Sequence, residues 1–75
     1  MRHPTRIELG TRLRLKRVEN RLRQADLAQI AGIARETVGR IERGISHGQP
    51  ATLRALEQAL GLNRGAFSSP RRRRR

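Results

Sequence analysis

Residues 24–43, QADLAQIAGIARETVGRIER, decide the fold. Leu27, Ala28 and Ala31, then Val38 and Ile41, recur at helical spacing, and the run is broken once, at Gly32-Ile33. The pattern predicts two short helices joined by a tight turn. Gly32 stands where that turn needs a positive φ that glycine adopts at little cost, and Ala28 is small where the helices must cross closely. Leu27, Ala31, Ile33, Val38 and Ile41 occupy positions that face a shared core, and no proline interrupts either segment.

The flanking segments are helical as well. Thr5-Arg6-Ile7-Glu8 reads as a capping box that starts a first helix running to about Glu19. Its expected apolar positions are Ile7, Leu9, Leu13 and Val18. Arg12, Arg14, Lys16 and Arg17 make the remainder cationic, so one broad face must look at water or phosphate. The helix ends at Asn20-Arg21 without a glycine, and Asn20 is the better suited of the two to a left-handed turn. Downstream, Gly44 closes the second helix of the central pair and residues 45–48 form a loop. Pro50 fits a helical first turn. Leu53, Leu56, Ala59 and Leu60 give that helix an apolar stripe, Gly61 ends it, and residues 62–67 supply one further turn. The expected architecture is all-α, a bundle of four to five short helices over residues 5–67. An N-terminal arm (1–4) and a disordered basic tail, SSPRRRRR (68–75), flank it.

Seventy-five residues suffice for one small domain. Eighteen Lys plus Arg, all but one of them Arg, oppose six Asp plus Glu for a formal charge of +12. Without the five terminal arginines, thirteen cations against six anions still leave +7, so the pull toward anionic polymers does not depend on the tail. There is no cysteine, and the two histidines, His3 and His47, cannot make a zinc centre alone. Ser46 and His47 are adjacent and lack a third group. The acids are scattered among arginines, as in solvated ion pairs. No nucleophile, acid pair or cofactor site is expected, and an enzyme is the least favoured class. No apolar run approaches the length of a membrane span and no secretory signal is visible, so a soluble cytoplasmic protein is expected.

The segments LGTRLRLKR, LRQADLAQIAG, TVGRIERG and TLRALEQALGL carry a resemblance, from about Leu9 to Leu62, to the Cro and phage-repressor-like helix-turn-helix family. That resemblance implies a lambda-repressor-like fold in which residues 24–31 form the positioning helix. Residues 35–43 then form a recognition helix that enters the major groove of double-stranded DNA. It assigns base contact to Arg35, Glu36, Gly39 and Arg40, and phosphate contact to Gln24, Thr37 and Arg43. Arg17 and Glu42 match a structural salt bridge between the first and third helices. Arginine pairs with guanine O6 and N7, and glutamate accepts from the cytosine amino group, so a GC-containing half-site is expected. Glu36 and Arg40, four residues apart, also suit a plain helical ion pair.

The implied function is a transcriptional regulator, a repressor bound to a palindromic operator as a homodimer. Ile45, Leu62 and Phe67 are the candidates for the symmetric contact. An alternative is a DNA-binding antitoxin with a toxin partner, although few residues follow the domain. Charge-driven binding to any nucleic acid is a third reading, which the lack of aromatics disfavours for single strands. The chain departs from the family pattern at two helix starts. Arg23 and Ala34 stand where Ser, Thr, Asn or Asp usually caps, each at a cost of about 1 kcal/mol. Ala34→Ser is therefore expected to raise the melting temperature by about 4–8 °C; an unchanged or lower value in a thermal melt would place the helix start elsewhere.

Overall fold

Each helix stops at a left-handed residue, and the first also starts at a side-chain cap. The computed structural model describes residues 5–67, so the expected arm and basic tail lie outside the described residues. Four helices follow one another, α1 (Arg6–Glu19), α2 (Gln24–Ala31), α3 (Arg35–Glu42) and α4 (Pro50–Ala59), with no strand among the described residues. Thr5 closes a full capping box: its hydroxyl accepts from the Glu8 amide at 3.0 Å and the Glu8 carboxylate from the Thr5 amide at 2.8 Å. Pro50 sits in the first turn of α4. Residues 62–67 make a turn, not a fifth helix.

All four helices end in the same hydrogen-bonded turn, in which an amide just past the helix reaches back five residues to a carbonyl of the last turn. The bonds are Leu22 N–H to Arg17 C=O, Ile33 to Ala28, Ile45 to Arg40 and Leu62 to Glu57, at 2.8–3.1 Å. Gly32, Gly44 and Gly61 supply the positive φ in three of them. In the first, Arg21 does so with φ +59°, whereas Asn20 keeps φ −89°. The expectation of Asn20 thus fails, for a tertiary reason. Leu22 is held at both ends by Arg17, whose carbonyl accepts from the Leu22 amide while its guanidinium donates to the Leu22 carbonyl at 2.7 Å. That fixes the left-handed residue one position before Leu22.

The core consists of Leu9, Leu13, Leu27, Ala28, Val38, Ile41, Leu53, Leu56, Leu60 and Phe67. Two expected apolar positions of α1 do not join it: Ile7 and Val18 are 71% and 54% exposed. They fall on the side of the helix opposite Leu9 and Leu13, a side the 3.6-residue repeat keeps out of the core. Phe67, expected at a symmetric contact, is buried and Leu62 packs partly against the core. The reason is Glu57. This carboxylate, 1% exposed, accepts from the Gly65 and Phe67 amides at 2.9 and 2.8 Å and folds the terminal turn inward. It is no solvated acid.

α3 packs against both α1 and α2, and α4 against α2. The α1–α3 contact is backbone on backbone. A β-carbon on Gly10 would run into the carbonyl oxygens of Ile41 and Glu42, the latter at 2.6 Å. Helix propensity alone would make Gly10→Ala stabilising by about 1 kcal/mol. Because the obstacle is backbone, the sign is expected to reverse, with a loss of about 3 kcal/mol or more in urea denaturation.

Candidate nucleic-acid interface

The outer side of α3 is set by its inner side. Val38 and Ile41 have no exposed surface and pin the helix to the core. At about 100° per residue, Arg35, Gly39, Arg43, Glu36 and Arg40 then share the opposite arc. The four charged members of that arc are exposed and Thr37 is half-buried at its edge. Arg40 and Glu36 lie 3.6 Å apart, with 57% and 75% of their side chains exposed. A pair so open to water contributes at most a few tenths of a kcal/mol, so either partner can be given up to a ligand.

Beneath this arc lies a polar network that joins three elements. The Arg17 guanidinium donates from Nε to Glu42 Oε2 at 2.6 Å and from a terminal nitrogen to Oε1 at 3.0 Å. Only 13% and 4% of the two side chains are exposed. Chiefly through the Glu42 hydrogen bond, the Arg17 pKa is raised above its ordinary value. Gln24, the first residue of α2, donates from Nε2 to Glu42 Oε1 at 3.1 Å, and its Oε1 accepts from Arg35 at 3.4 Å. Of the residues expected to meet phosphate or bases, Gln24 and Arg35 are therefore joined in the protein alone, and both connect to the buried pair. Gly39 shows why the amide fits: a β-carbon there would lie 3.5 Å from Gln24 Oε1 and 3.1 Å from a guanidinium nitrogen of Arg43. Gly39 is thus the floor of a shallow depression covered by two flexible side chains.

Both helix starts without a Ser, Thr, Asn or Asp have the capping backbone, with Arg23 at φ −81°, ψ 164° and Ala34 at φ −72°, ψ 142°. Arg23 is partly compensated by Asp26, whose carboxylate accepts from the Arg23 amide at 2.9 Å and from its guanidinium at 3.1 Å. The guanidinium and amide hold the Asp26 pKa below its usual range. Ala34 has no side-chain cap.

Sequence reasoning overlooked Gly10, Glu57 and the Gln24–Glu42 bond. The first two have no local signal, since a helical glycine and a helical glutamate look like surface filler. The third joins residues 18 apart in the chain, one expected at phosphate and the other in the salt bridge with Arg17.

Glu42→Ala would leave the Arg17 guanidinium buried without its anion. The expected loss is about 3–5 kcal/mol in urea denaturation, most of the stability of a domain this small. Replacing both partners, Arg17→Met with Glu42→Leu, is expected to cost markedly less, because no charge is then stranded.

A helix-turn-helix family model, HTH_3, matches residues 13–67. No curated protein matches the chain. Among solved structures, the restriction-modification controller protein C.AhdI from Aeromonas hydrophila superposes with a TM-score of 0.75 at 33% identity, over 77% of this chain and 88% of that one. An HTH_3 family transcriptional regulator from Vibrio cholerae gives a TM-score of 0.78 at 28% identity over 84% of this chain, which matches only 35% of that protein. A hypothetical transcription factor from Neisseria, NHTF, gives 0.79 at 27% identity over 88% and 76%. With the family model matched over residues 13–67 and the helical fold shared with these structures, the chain belongs to the HTH_3 helix-turn-helix family.

Proposed function

We propose that the protein is a sequence-specific regulator of transcription that binds double-stranded DNA, acting as a repressor by occupying a palindromic operator as a homodimer. The observation that carries this reading is the exposed arc of α3, with three arginines and one glutamate held on a rod whose orientation is locked from below. An eight-residue helix with such an arc fits the major groove, which is about 12 Å wide. Arg35 and Arg40 donate to guanine O6 and N7, and Glu36 accepts from a cytosine amino group. Gly39 lets the backbone approach the base edges once Arg43 and Gln24 swing aside. Gln24, Thr37 and Arg43 hold phosphates, aided by the free amides at the start of α2.

One short helix in one groove rarely confers specific affinity, which favours two copies on half-sites one helical turn, about 34 Å, apart. The likeness to a restriction-modification controller and to an HTH_3 transcriptional regulator supports the regulatory role. The acting compartment is then the cytoplasm, where operator DNA is found.

Selection of bound duplexes from a random pool is expected to return paired, GC-containing half-sites. Arg35→Ala should lower discrimination at one base pair per half-site by about 5–150-fold while leaving the affinity for unrelated duplex nearly unchanged. Equal binding to all duplexes at fixed salt would reduce the protein to a nonspecific polyanion binder.

A further inference from the structure

Five large apolar side chains are more than half exposed among the described residues, and four of them lie together. Ile7, Leu15 and Val18 share one side of α1 with Thr11, at spacings of four, four and three residues. The Thr11 hydroxyl donates to the Ile7 carbonyl at 3.0 Å, so its polar atom is already engaged within the helix. At its N-terminal end Ile7 lies against Gly44, where a β-carbon would be 3.1 Å from Ile7 Cγ1, which brings the exposed Ile45, the next residue, beside this surface. The result is an apolar ridge about 16 Å long on α1, extended by Ile45. In a chain this rich in arginine, such clustering marks a contact surface rather than scatter. The ridge faces away from Leu9 and Leu13, and α3 packs on a different side of α1, so covering it leaves the arc of Arg35, Glu36 and Arg40 open.

The charges beside the ridge identify its occupant. By the helical repeat, Arg14 borders one edge and Glu19 the other. Arg14 has no ion pair among the described residues, and Glu19 meets only Lys16, at 3.4 Å with both side chains about half exposed. When two such helices lie parallel about a two-fold axis, opposite edges meet. Arg14 of each then faces Glu19 of the other, five residues on, the offset at which flanking charges pair across parallel helices. In an antiparallel arrangement like edges meet, arginine against arginine. We infer that the outer face of α1, with Ile45, is where two copies of this chain pair, α1 beside α1 and parallel. The inference rests on the dimeric reading above and names its face, in place of one built on Leu62 and Phe67, which the core retains.

Sedimentation equilibrium of the full chain without DNA, at about 0.15 M salt, tests it. The expected result is a monomer–dimer equilibrium in the micromolar range that Leu15→Lys abolishes. Arg14→Glu and Glu19→Arg are each expected to weaken pairing about tenfold, and the double exchange to restore it to within about threefold. Circular dichroism melts confirm that each variant is folded. A monomer at all concentrations, a dimer indifferent to Leu15→Lys, or two exchanges that fail to rescue each other would overturn the inference. Arg35→Ala should leave the dimerisation constant unchanged. Pairing without sequence-selective DNA binding would thus sink the functional reading alone, and a dimer that binds DNA selectively but is indifferent to Leu15→Lys would sink this one alone.

Discussion

The bidentate bond between Arg17 and Glu42 is the constraint on which the rest of the molecule turns. It is mostly withdrawn from water, so its two charges have no good alternative to each other. Through a third donor, Arg17 holds the Leu22 carbonyl and sets the bend between α1 and α2. Through its remaining capacity, Glu42 accepts from Gln24 at the start of α2. One ion pair thus aligns three helices and the turn between two of them. The cost of burying it is offset in part by the further hydrogen bonds to the Leu22 carbonyl and from Gln24, the kind of support under which such a pair contributes orientation and not only strain.

The backbone geometry around this pair is equally demanding. Gly10 allows α1 to approach the last turn of α3 until only carbonyl oxygens limit the distance. The same closeness carries Arg17, two turns further along α1, toward Glu42. Arg21 accepts a left-handed conformation at a penalty of about 1 kcal/mol because the bonds to Leu22 leave no other register. A local cost is tolerated at that position to keep the exposed arc of α3 in place. Glu57 plays a parallel part at the other end of the chain, where it draws the terminal turn and Phe67 into the core.

The free state of the interface bears on how it would engage a duplex. Arg35 is already tethered to Gln24, and Gln24 to Glu42, so one candidate base-reading side chain is restrained before any ligand arrives. Restraint of that kind lowers the entropy lost on binding. Among the described residues, Arg40 and Glu36 are tied only to each other, and in the open. The exposed arc of α3 therefore has a more restrained end, near α2, and an adaptable one.

What could be read in the linear chain was local. The capping box at Thr5, Gly32 at the turn, Gly44 and Gly61 at helix ends and Pro50 at a helix start each depend on backbone preferences within a few residues, and each lies where its chemistry requires. The helical repeat likewise identified the inward leucines. Ile7 and Val18 were counted with them only because they are apolar: the same repeat sets them on the opposite side of α1, where they stay exposed. The close approach at Gly10, the left-handed Arg21, the inward Glu57 and the bond from Gln24 to Glu42 all depend on atoms that are far apart along the chain. Sequence determined which segments would be helices and that one of them would present arginines. Only the packed structure decided how they face one another, because orientation is set by contacts that exist only once the helices have met.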